Sequence, residues 1–226
     1  MTIFKSLLNL FLQSNCPLCQ RSTPSELCQY CNQQIQSCHL KKPSYLWQQP
    51  LPVFAWGIYG GSLKRAIAVM KYENHPEIGS FLGRYLGESW LLNSVETNQK
   101  PVIIPIPLHS QKLKERGYNQ AALIAKGFCQ ITGCQLQLNG LERIKNTKAQ
   151  FGVSASEREK NLAAAFSLGT DFRRRQPEAP VLLVDDIYTT GATAKSAVYT
   201  LNQSNISVLG LAAVATTAKD RSIKSL

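Results

Sequence analysis

The chain has 226 residues, of which 44% are hydrophobic and 17% are charged. These values exclude a disordered chain and leave room for one main domain and a small second one. The formal net charge is +11, and residues 100–175 alone hold 13 Lys and Arg against 5 Asp and Glu. Such a balance favours an anionic partner, either a phosphorylated small molecule or a nucleic-acid backbone, with a solvated basic surface as the alternative.

The first 19 residues, MTIFKSLLNLFLQSNCPLC, are the most membrane-like stretch of the sequence. They are too short to span a bilayer, and Lys5 lies among them. Five apolar residues share one helical face, which predicts a short amphipathic helix packed on protein: Ile3, Phe4, Leu7, Leu8 and Phe11. We expect no membrane span and a cytoplasmic location.

Two Cys-x-x-Cys pairs, CPLC and CQYC, lie close together near the N-terminus. Such pairs are typical of a zinc ribbon, in which four thiolates converge on one tetrahedral Zn²⁺. The alternatives are a disulfide knot and cysteines with no joint role, and a cytoplasmic location disfavours disulfides. The predicted ligands are Cys16, Cys19, Cys28 and Cys31, while Cys38 and His39 are candidates to replace a ligand or to hold a second ion.

A change of composition divides the chain. We predict an N-terminal helix and zinc ribbon over residues 1–42, a linker over 43–52 and an α/β domain over 53–226. In the last region four apolar segments, VFAWGIYGG, PVIIPIPLH, VLLVDD and ISVLGLAAVATT, alternate with segments of helical spacing. Fully apolar strands of this kind are typical of a parallel sheet that helices cover on both faces.

Two adjacent carboxylates, Asp185 and Asp186, end the strand VLLVDD, and a turn rich in Thr leads into a helix. Ligands of parallel α/β sheets bind at the carboxyl ends of the strands, and a helix N-terminus attracts anions. Carboxylates beside such a turn suit a ligand with vicinal hydroxyls and a phosphate, as in a sugar phosphate. The alternative is that one Asp or Thr merely caps the helix.

The nonapeptide DDIYTTGAT resembles the phosphoribosyl-pyrophosphate (PRPP) signature of type I phosphoribosyltransferases. The resemblance implies that Asp185 and Asp186 bind the 2′- and 3′-hydroxyls of ribose, and that Mg²⁺ is carried on pyrophosphate and ribose oxygens. It also implies a loop that binds the 5′-phosphate, formed by Thr189, Thr190, Gly191, Ala192 and Thr193.

Two further blocks, IPIPLHSQKLKERGYNQAALIAKGF and KAQFGVSASEREKNLAAAF, are similar to signature blocks of the ComF family, which are competence-associated phosphoribosyltransferase-like proteins. That family also begins with a cysteine-pair zinc ribbon, and the resemblance runs from about residue 16 to residue 215. It implies the type I phosphoribosyltransferase fold, a Rossmann-like parallel sheet flanked by helices, with residues 53–92 as the acceptor region. Tyr118 departs from the family pattern, which has Phe within R-G-F-N-Q.

The same resemblance implies two loops at the site. A pyrophosphate loop and the cations beside it would comprise Pro107, Leu108, His109, Ser110, Lys112 and Arg116. A flexible loop that closes over the reacting centre would contribute Gln150, Arg158 and Asn161. An ordinary capped helix is the alternative for the second segment.

Two functions of different classes stay open. An enzyme would transfer ribose 5-phosphate from PRPP to an acceptor with Mg²⁺, displacing pyrophosphate. A binding module would use its basic middle third to engage DNA during uptake, with single-stranded DNA and other competence proteins as partners. The acidic pair favours retained PRPP binding because a pure scaffold does not need both carboxylates, but nothing in the sequence identifies the acceptor.

Overall fold

The computed structural model of the chain describes residues 14–93, 99–145 and 165–218. The predicted amphipathic helix near the N-terminus lies outside these ranges. Within them, no helix is both long and apolar enough to cross a membrane.

The cysteine-rich region forms an antiparallel hairpin followed by a helix. Its elements are β1 (Ser14–Asn15), β2 (Ser22–Thr23) and α1 (Gln29–Gln36). The first Cys-x-x-Cys pair lies in the turn between the two strands, and the second pair spans the beginning of α1. A tight turn and a helix start therefore present the two pairs of thiols, as a zinc ribbon requires.

Four parallel strands form the main sheet. Their order across the sheet is β3 (Val53–Ile58), β8 (Val208–Thr216), β7 (Val181–Tyr188) and β4 (Val102–Pro105). Buried hydrophobic side chains extend from both faces of this sheet and belong to two core clusters, so both faces are covered. The predicted parallel α/β sheet is thus confirmed.

The connections between these strands are mostly helical. They comprise α2 (Gly61–Tyr72), α3 (Glu77–Leu92), α4 (Ser110–Arg116), α5 (Gln120–Thr132), α6 (Thr170–Arg174), α7 (Ala192–Asn202) and a two-stranded antiparallel arm of β5 (Leu141–Arg143) and β6 (Phe166–Leu168). The four long helices agree with the helical spacing of the sequence. The arm and the two short helices were not predicted, because elements of three to seven residues show little periodicity.

Helices α3 and α5 pack with their backbones in close contact. A Cβ atom on Gly83 would lie 2.1 Å from the carbonyl oxygen of Ile124, and one on Gly127 would lie 2.1 Å from the carbonyl oxygen of Ser80. A side chain at either glycine would force the helices apart. This pair forms a rigid wall on one face of the sheet.

The cysteine ribbon packs directly on the α/β region. Ile35 of α1 and Phe81 of α3 belong to one buried cluster, and Nε2 of Gln36 in α1 donates a hydrogen bond of 2.8 Å to the hydroxyl of Tyr85 in α3. An ion pair at 2.7 Å joins Arg84 to Glu26. Loss of order in the ribbon is therefore expected to disturb α3 as well.

Candidate ligand site and zinc centre

The acidic pair lies near the carboxyl end of β7, close to the centre of the sheet. Asp186 is 5% exposed, and its Oδ2 lies 2.7 Å from Nζ of Lys71 in α2. Asp185 is half-buried, and its Oδ1 accepts a hydrogen bond of 2.8 Å from the backbone N–H of Asp186. The two carboxylates therefore have different partners.

Burial and the neighbouring Asp186 raise the pKa of Asp185 to about 8, although the Asp186 N–H, Lys71 and Arg143 act in the opposite direction. Burial lowers the pKa of Arg143 in the arm, and the Asp185 carboxylate opposes that shift. The Asp185 carboxyl group therefore takes up a proton more readily than an exposed aspartate, and in its protonated form it offers both an O–H donor and an acceptor.

The turn after β7, which the resemblance assigned to the 5′-phosphate, leads into α7 through Gly191. Gly191 has a φ of 75° and caps α7 without a side chain, so it does not occupy the N–H groups of the first turn. A Cβ at Gly191 would meet the Tyr188 ring at 2.8 Å. Thr189 and Thr190 are exposed at the mouth of this turn. The loop predicted for the 5′-phosphate is thus open to solvent and leads into an eleven-residue helix.

The predicted pyrophosphate loop joins β4 to α4. Because β4 pairs with β7, this loop begins at the strand next to the one that carries the acidic pair. The Nδ1 atom of His109 accepts a hydrogen bond of 3.3 Å from the Gln111 N–H and caps α4. Lys112 is exposed on α4, whereas Arg116 is half-buried with its guanidinium 5.6 Å from the centroid of the Tyr72 ring. Arg116 therefore lies beside the end of α2.

The side chain of Asn119 forms hydrogen bonds with the beginning of this loop and with α5. Its Nδ2 donates a hydrogen bond of 3.0 Å to the carbonyl oxygen of Ile106, and its Oδ1 accepts one of 3.0 Å from the N–H of Ala121. The side chain ties the beginning of the loop to the first turn of α5.

Sequence reasoning missed three residues here: Lys71, Arg143 and Tyr118. Lys71 lies within the segment GIYGGSLKRAIAVMKYE, where it resembles an ordinary exposed lysine of a helix end. The hydroxyl of Tyr118, which stands where the family pattern has Phe, donates a hydrogen bond to the carbonyl oxygen of Met70 in α2. Only a contact between distant segments reveals these roles.

The other predicted loop residues, Gln150, Arg158 and Asn161, lie outside the described ranges.

The four predicted zinc ligands converge. The sulfur atoms of Cys16, Cys19, Cys28 and Cys31 all lie within 4.8 Å of one another. Burial raises the pKa of Cys16, but backbone N–H groups outweigh it and lower that pKa to about 7. Burial and the neighbouring thiols raise the pKa of Cys31. Four thiolates this close need a cation between them, and a tetrahedral Zn²⁺ fits that donor set.

Cys38 and His39 are directed elsewhere. The sulfur of Cys38 lies 3.6 Å from the carbonyl oxygen of Gln34, and Nε2 of His39 lies 3.1 Å from Oγ of Ser89 in α3. Burial lowers the pKa of His39. Within the described residues, the cluster of four sulfurs includes neither of them.

The basic run Arg173–Arg175 lies in α6 and just after it, near the amino end of β7. All three arginines are exposed. Arg173 lies 3.6 Å from Glu142, and Arg175 lies 2.5 Å from Glu178. The run therefore lies towards the amino end of β7, whereas the acidic pair lies near its carboxyl end. The ion pairs of the run with Glu142 and Glu178 are exposed and therefore weak.

Among solved structures, an adenine phosphoribosyltransferase from Leishmania tarentolae is similar at 15% identity and a TM-score of 0.39, over 66% of this chain and 62% of that chain. Another is the adenine phosphoribosyltransferase from Trypanosoma brucei in complex with AMP, pyrophosphate and ribose-5-phosphate. It has 11% identity and a TM-score of 0.41, over 86% of this chain and 71% of that chain.

No family model matches the sequence. Competence protein F of Haemophilus influenzae is 31% identical over 82% of this chain and 83% of its own length. The DNA utilization protein YhgH of Escherichia coli is 28% identical over 79% of each chain. Competence protein ComFC of Bacillus subtilis is 27% identical over 79% of this chain and 67% of its own length. On this identity and coverage, the chain belongs to the ComF family.

Proposed function

We propose that the chain binds PRPP at the carboxyl end of β7 and, with Mg²⁺, transfers ribose 5-phosphate to an acceptor with release of pyrophosphate. The observation that carries the proposal is the order of groups along β7 and α7. A carboxylate pair is followed by an open glycine-containing turn and by a helix whose N-cap residue, Gly191, has no side chain. Few ligands other than a phosphorylated sugar need hydroxyl acceptors and an anion cradle this close together.

Each part of the site has one task in this proposal. Asp185 and Asp186 bind the ribose hydroxyls, and the turn Thr189–Thr193 binds the 5′-phosphate through backbone N–H groups and hydroxyls. The loop Pro107–Ser110, with the cation Arg116 beside it, binds pyrophosphate. His109 uses Nδ1 to cap α4, so Nε2 is the ring nitrogen that remains for the ligand.

The chemistry requires no covalent bond to the protein. The bond between ribose C1 and the pyrophosphate oxygen breaks, and its electron pair leaves on pyrophosphate. The nucleophilic atom of the acceptor bonds to C1 and gives up a proton. Mg²⁺ carried on the diphosphate would neutralise the charge that develops on the leaving group, while the protein residues orient the sugar and exclude water.

The zinc ribbon has a structural role in the proposal. Four thiolate ligands leave no open coordination position for water or substrate. The contacts of the ribbon with α3 support this role, because they join it to the wall of the α/β region.

Calorimetric titration of the zinc-loaded chain with PRPP and Mg²⁺ tests the binding step. Ribose 5-phosphate is expected to bind more weakly than PRPP, and pyrophosphate release with candidate acceptors tests the transfer. Thr190→Val is expected to weaken both ligands by roughly tenfold to a hundredfold, since hydrogen bonds to charged groups are worth about 1.5–3 kcal/mol. No binding of PRPP at millimolar concentration would contradict the proposal.

A second candidate function is DNA binding at the basic run Arg173–Arg175. Its exposed position favours this function, as do the names of the relatives, which are a competence protein and a DNA utilization protein. DNA affinity is then expected to fall by roughly 0.7–0.9 log units per tenfold increase in salt for each phosphate contacted. Charge reversal at all three arginines is expected to weaken binding for every sequence alike. Salt-independent binding, or none at low ionic strength, would remove this candidate.

A further inference from the structure

Arg143 is the last residue of β5, and its charged group is turned into the protein. The Nε atom is shielded from solvent, and the guanidinium lies 5.5 Å from the centroid of the Phe166 ring, which is 4% exposed. An arginine at the end of a short strand normally keeps its guanidinium in water. Since a charge is costly to bury unless an anion lies close to it, an anionic partner is expected beside this side chain.

The arm that carries Arg143 is attached to two parts of the candidate ligand site. The backbone of Arg143 forms a parallel bridge with that of His109 in the predicted pyrophosphate loop. Phe166, which pairs with Arg143 across the arm, accepts a hydrogen bond of 3.5 Å at its carbonyl oxygen from Oγ1 of Thr200 in α7. The arm therefore holds Arg143 between the predicted pyrophosphate loop and the helix that follows the predicted 5′-phosphate loop.

The charge of Arg143 also acts on the acidic pair. It opposes the rise in the pKa of Asp185, and the Asp185 carboxylate opposes the fall in the pKa of Arg143. Such a mutual effect requires the two side chains to lie near each other. Since the backbone of Arg143 is bound to His109, its side chain lies between the predicted pyrophosphate loop and Asp185. A guanidinium has five N–H donors, so an interaction with one carboxylate does not use all of them.

This position matches one part of a phosphorylated sugar. In PRPP the diphosphate on C1 and the hydroxyl on C2 are attached to adjacent carbons of the ribose ring. A cation between the residues proposed to bind these two groups therefore lies next to the diphosphate. Ribose 5-phosphate has a neutral hydroxyl on C1 and offers no charge there.

We propose that Arg143 selects ligands that carry a diphosphate on C1 of ribose: its guanidinium binds the diphosphate and makes the site prefer PRPP to ribose 5-phosphate. A planar guanidinium suits this role because it can bond two phosphate oxygens at once. The inference rests on the proposed function and adds the residue that distinguishes between ligands of the same site.

Calorimetric titration of the zinc-loaded full chain tests the inference with three probes in Mg²⁺: PRPP, ribose 5-phosphate and inorganic pyrophosphate. Arg143→Gln removes the charge and keeps a polar side chain. It is expected to weaken PRPP and pyrophosphate by at least about tenfold, which is about 1.4 kcal/mol, and ribose 5-phosphate by less than about twofold. Arg143→Lys keeps the charge without the planar fork, and its preference for PRPP is expected to lie between those of Arg143→Gln and the parent.

Arg65→Gln is the matched control, because it removes the same charge from an exposed residue of α2. It is expected to leave all three affinities unchanged. An equal loss for PRPP and ribose 5-phosphate in Arg143→Gln would overturn the inference, because it would show that the residue only supports the arm. Unchanged PRPP affinity would overturn it as well.

Near-ultraviolet circular dichroism shows whether each variant is folded. If Arg143→Gln does not fold, Arg143→Lys decides the question, and a ratio of PRPP to ribose 5-phosphate affinity equal to that of the parent overturns the inference. A parent chain that binds none of the three probes would contradict the proposed function and the inference together. A parent that binds PRPP, with an unchanged ratio in the variants, would contradict the inference alone.

Discussion

Two regions of the molecule gather groups of like charge, and they differ in the source of the compensating positive charge. The ribbon brings four thiols within 4.8 Å of one another, and the groups that shift the pKa values of Cys16 and Cys31 include no lysine or arginine. The end of β7 brings two carboxylates together, and α2 supplies Lys71 at 2.7 Å. The ribbon is therefore expected to need an external ion for its structure, whereas the candidate ligand site carries its own cation.

Removal of the external ion has the largest expected effect. Structural zinc contributes on the order of 10–16 kcal/mol in isolated zinc-finger peptides, so Cys31→Ser or chelation is expected to unfold the ribbon. The hydroxyl of Tyr85 in α3 accepts a hydrogen bond of 2.8 Å from Nε2 of Gln36 in α1, and the Tyr85 ring stacks on Trp56 of β3. The fluorescence of Trp56 is therefore expected to report the loss. Elemental analysis is expected to give one zinc per parent chain.

Cys38→Ser is the matched control, because this thiol lies outside the four-sulfur cluster, and it is expected to keep one zinc. A zinc content near zero in reduced, intact parent protein would contradict the zinc centre. A content near two would bring Cys38 and His39 in as ligands.

The two carboxylates are expected to affect stability in opposite directions. Asp186→Asn leaves the ammonium group of Lys71 without its ion pair, which costs about 1–3 kcal/mol. Asp185→Asn removes a group whose pKa rises from 3.8 to about 8 on folding. Such a group destabilises the folded state progressively as pH increases between these values, because only the unfolded chain releases its proton there.

Thermal unfolding at pH 5 and pH 8.5 measures this difference. The difference in the free energy of unfolding between Asp185→Asn and the parent is expected to shift in favour of the variant between pH 5 and pH 8.5. The expected shift is at least about 1 kcal/mol, or roughly 2–4 °C in Tm. Asp186→Asn is expected to be less stable than the parent. Equal effects of the two substitutions at both pH values would show that the partners of the two carboxylates do not differ in solution.

A smaller effect is expected when the hydrogen bond that holds the end of α2, and with it Lys71, is removed. Tyr118→Phe removes the hydroxyl that donates to the buried carbonyl of Met70, at an expected cost of about 1 kcal/mol. Tyr72→Phe is the control, because Tyr72 is 77% exposed and keeps its ring beside Arg116. Chemical denaturation of both variants measures the difference, and equal stabilities would mean that the Tyr118 hydroxyl does not hold α2.

The sequence predicted the parts of the molecule that local pattern encodes. Apolar runs located the four strands, and the spacing of the thiols located the cluster of four cysteines that could hold a metal ion. The nonapeptide from Asp185 to Thr193 located the candidate ligand site. Each of these features lies within one short segment, so its periodicity or motif is visible without the fold.

The contacts between segments could not be predicted in this way. Lys71 and Asp186 are far apart in the chain, and nothing in the segment around Lys71 indicates that its side chain turns towards the sheet. Arg143 reaches the site through a strand of three residues, which is too short to show alternation. The hydroxyl of Tyr118 gains its role only from the position of α2. Tertiary packing decides these roles, and it is not encoded in local spacing.

Titration of Asp185→Asn/Asp186→Asn with PRPP and Mg²⁺ tests the central claim most directly. The substitutions keep size and shape and exchange charged or protonated carboxyl groups for amides, so the fold is expected to persist. Hydrogen bonds to charged groups are worth about 1.5–3 kcal/mol each, and PRPP affinity is therefore expected to fall by roughly tenfold to several thousandfold. If the folded double variant binds PRPP as tightly as the parent, the acidic pair is only a strand-end cap and the proposed ligand site is wrong.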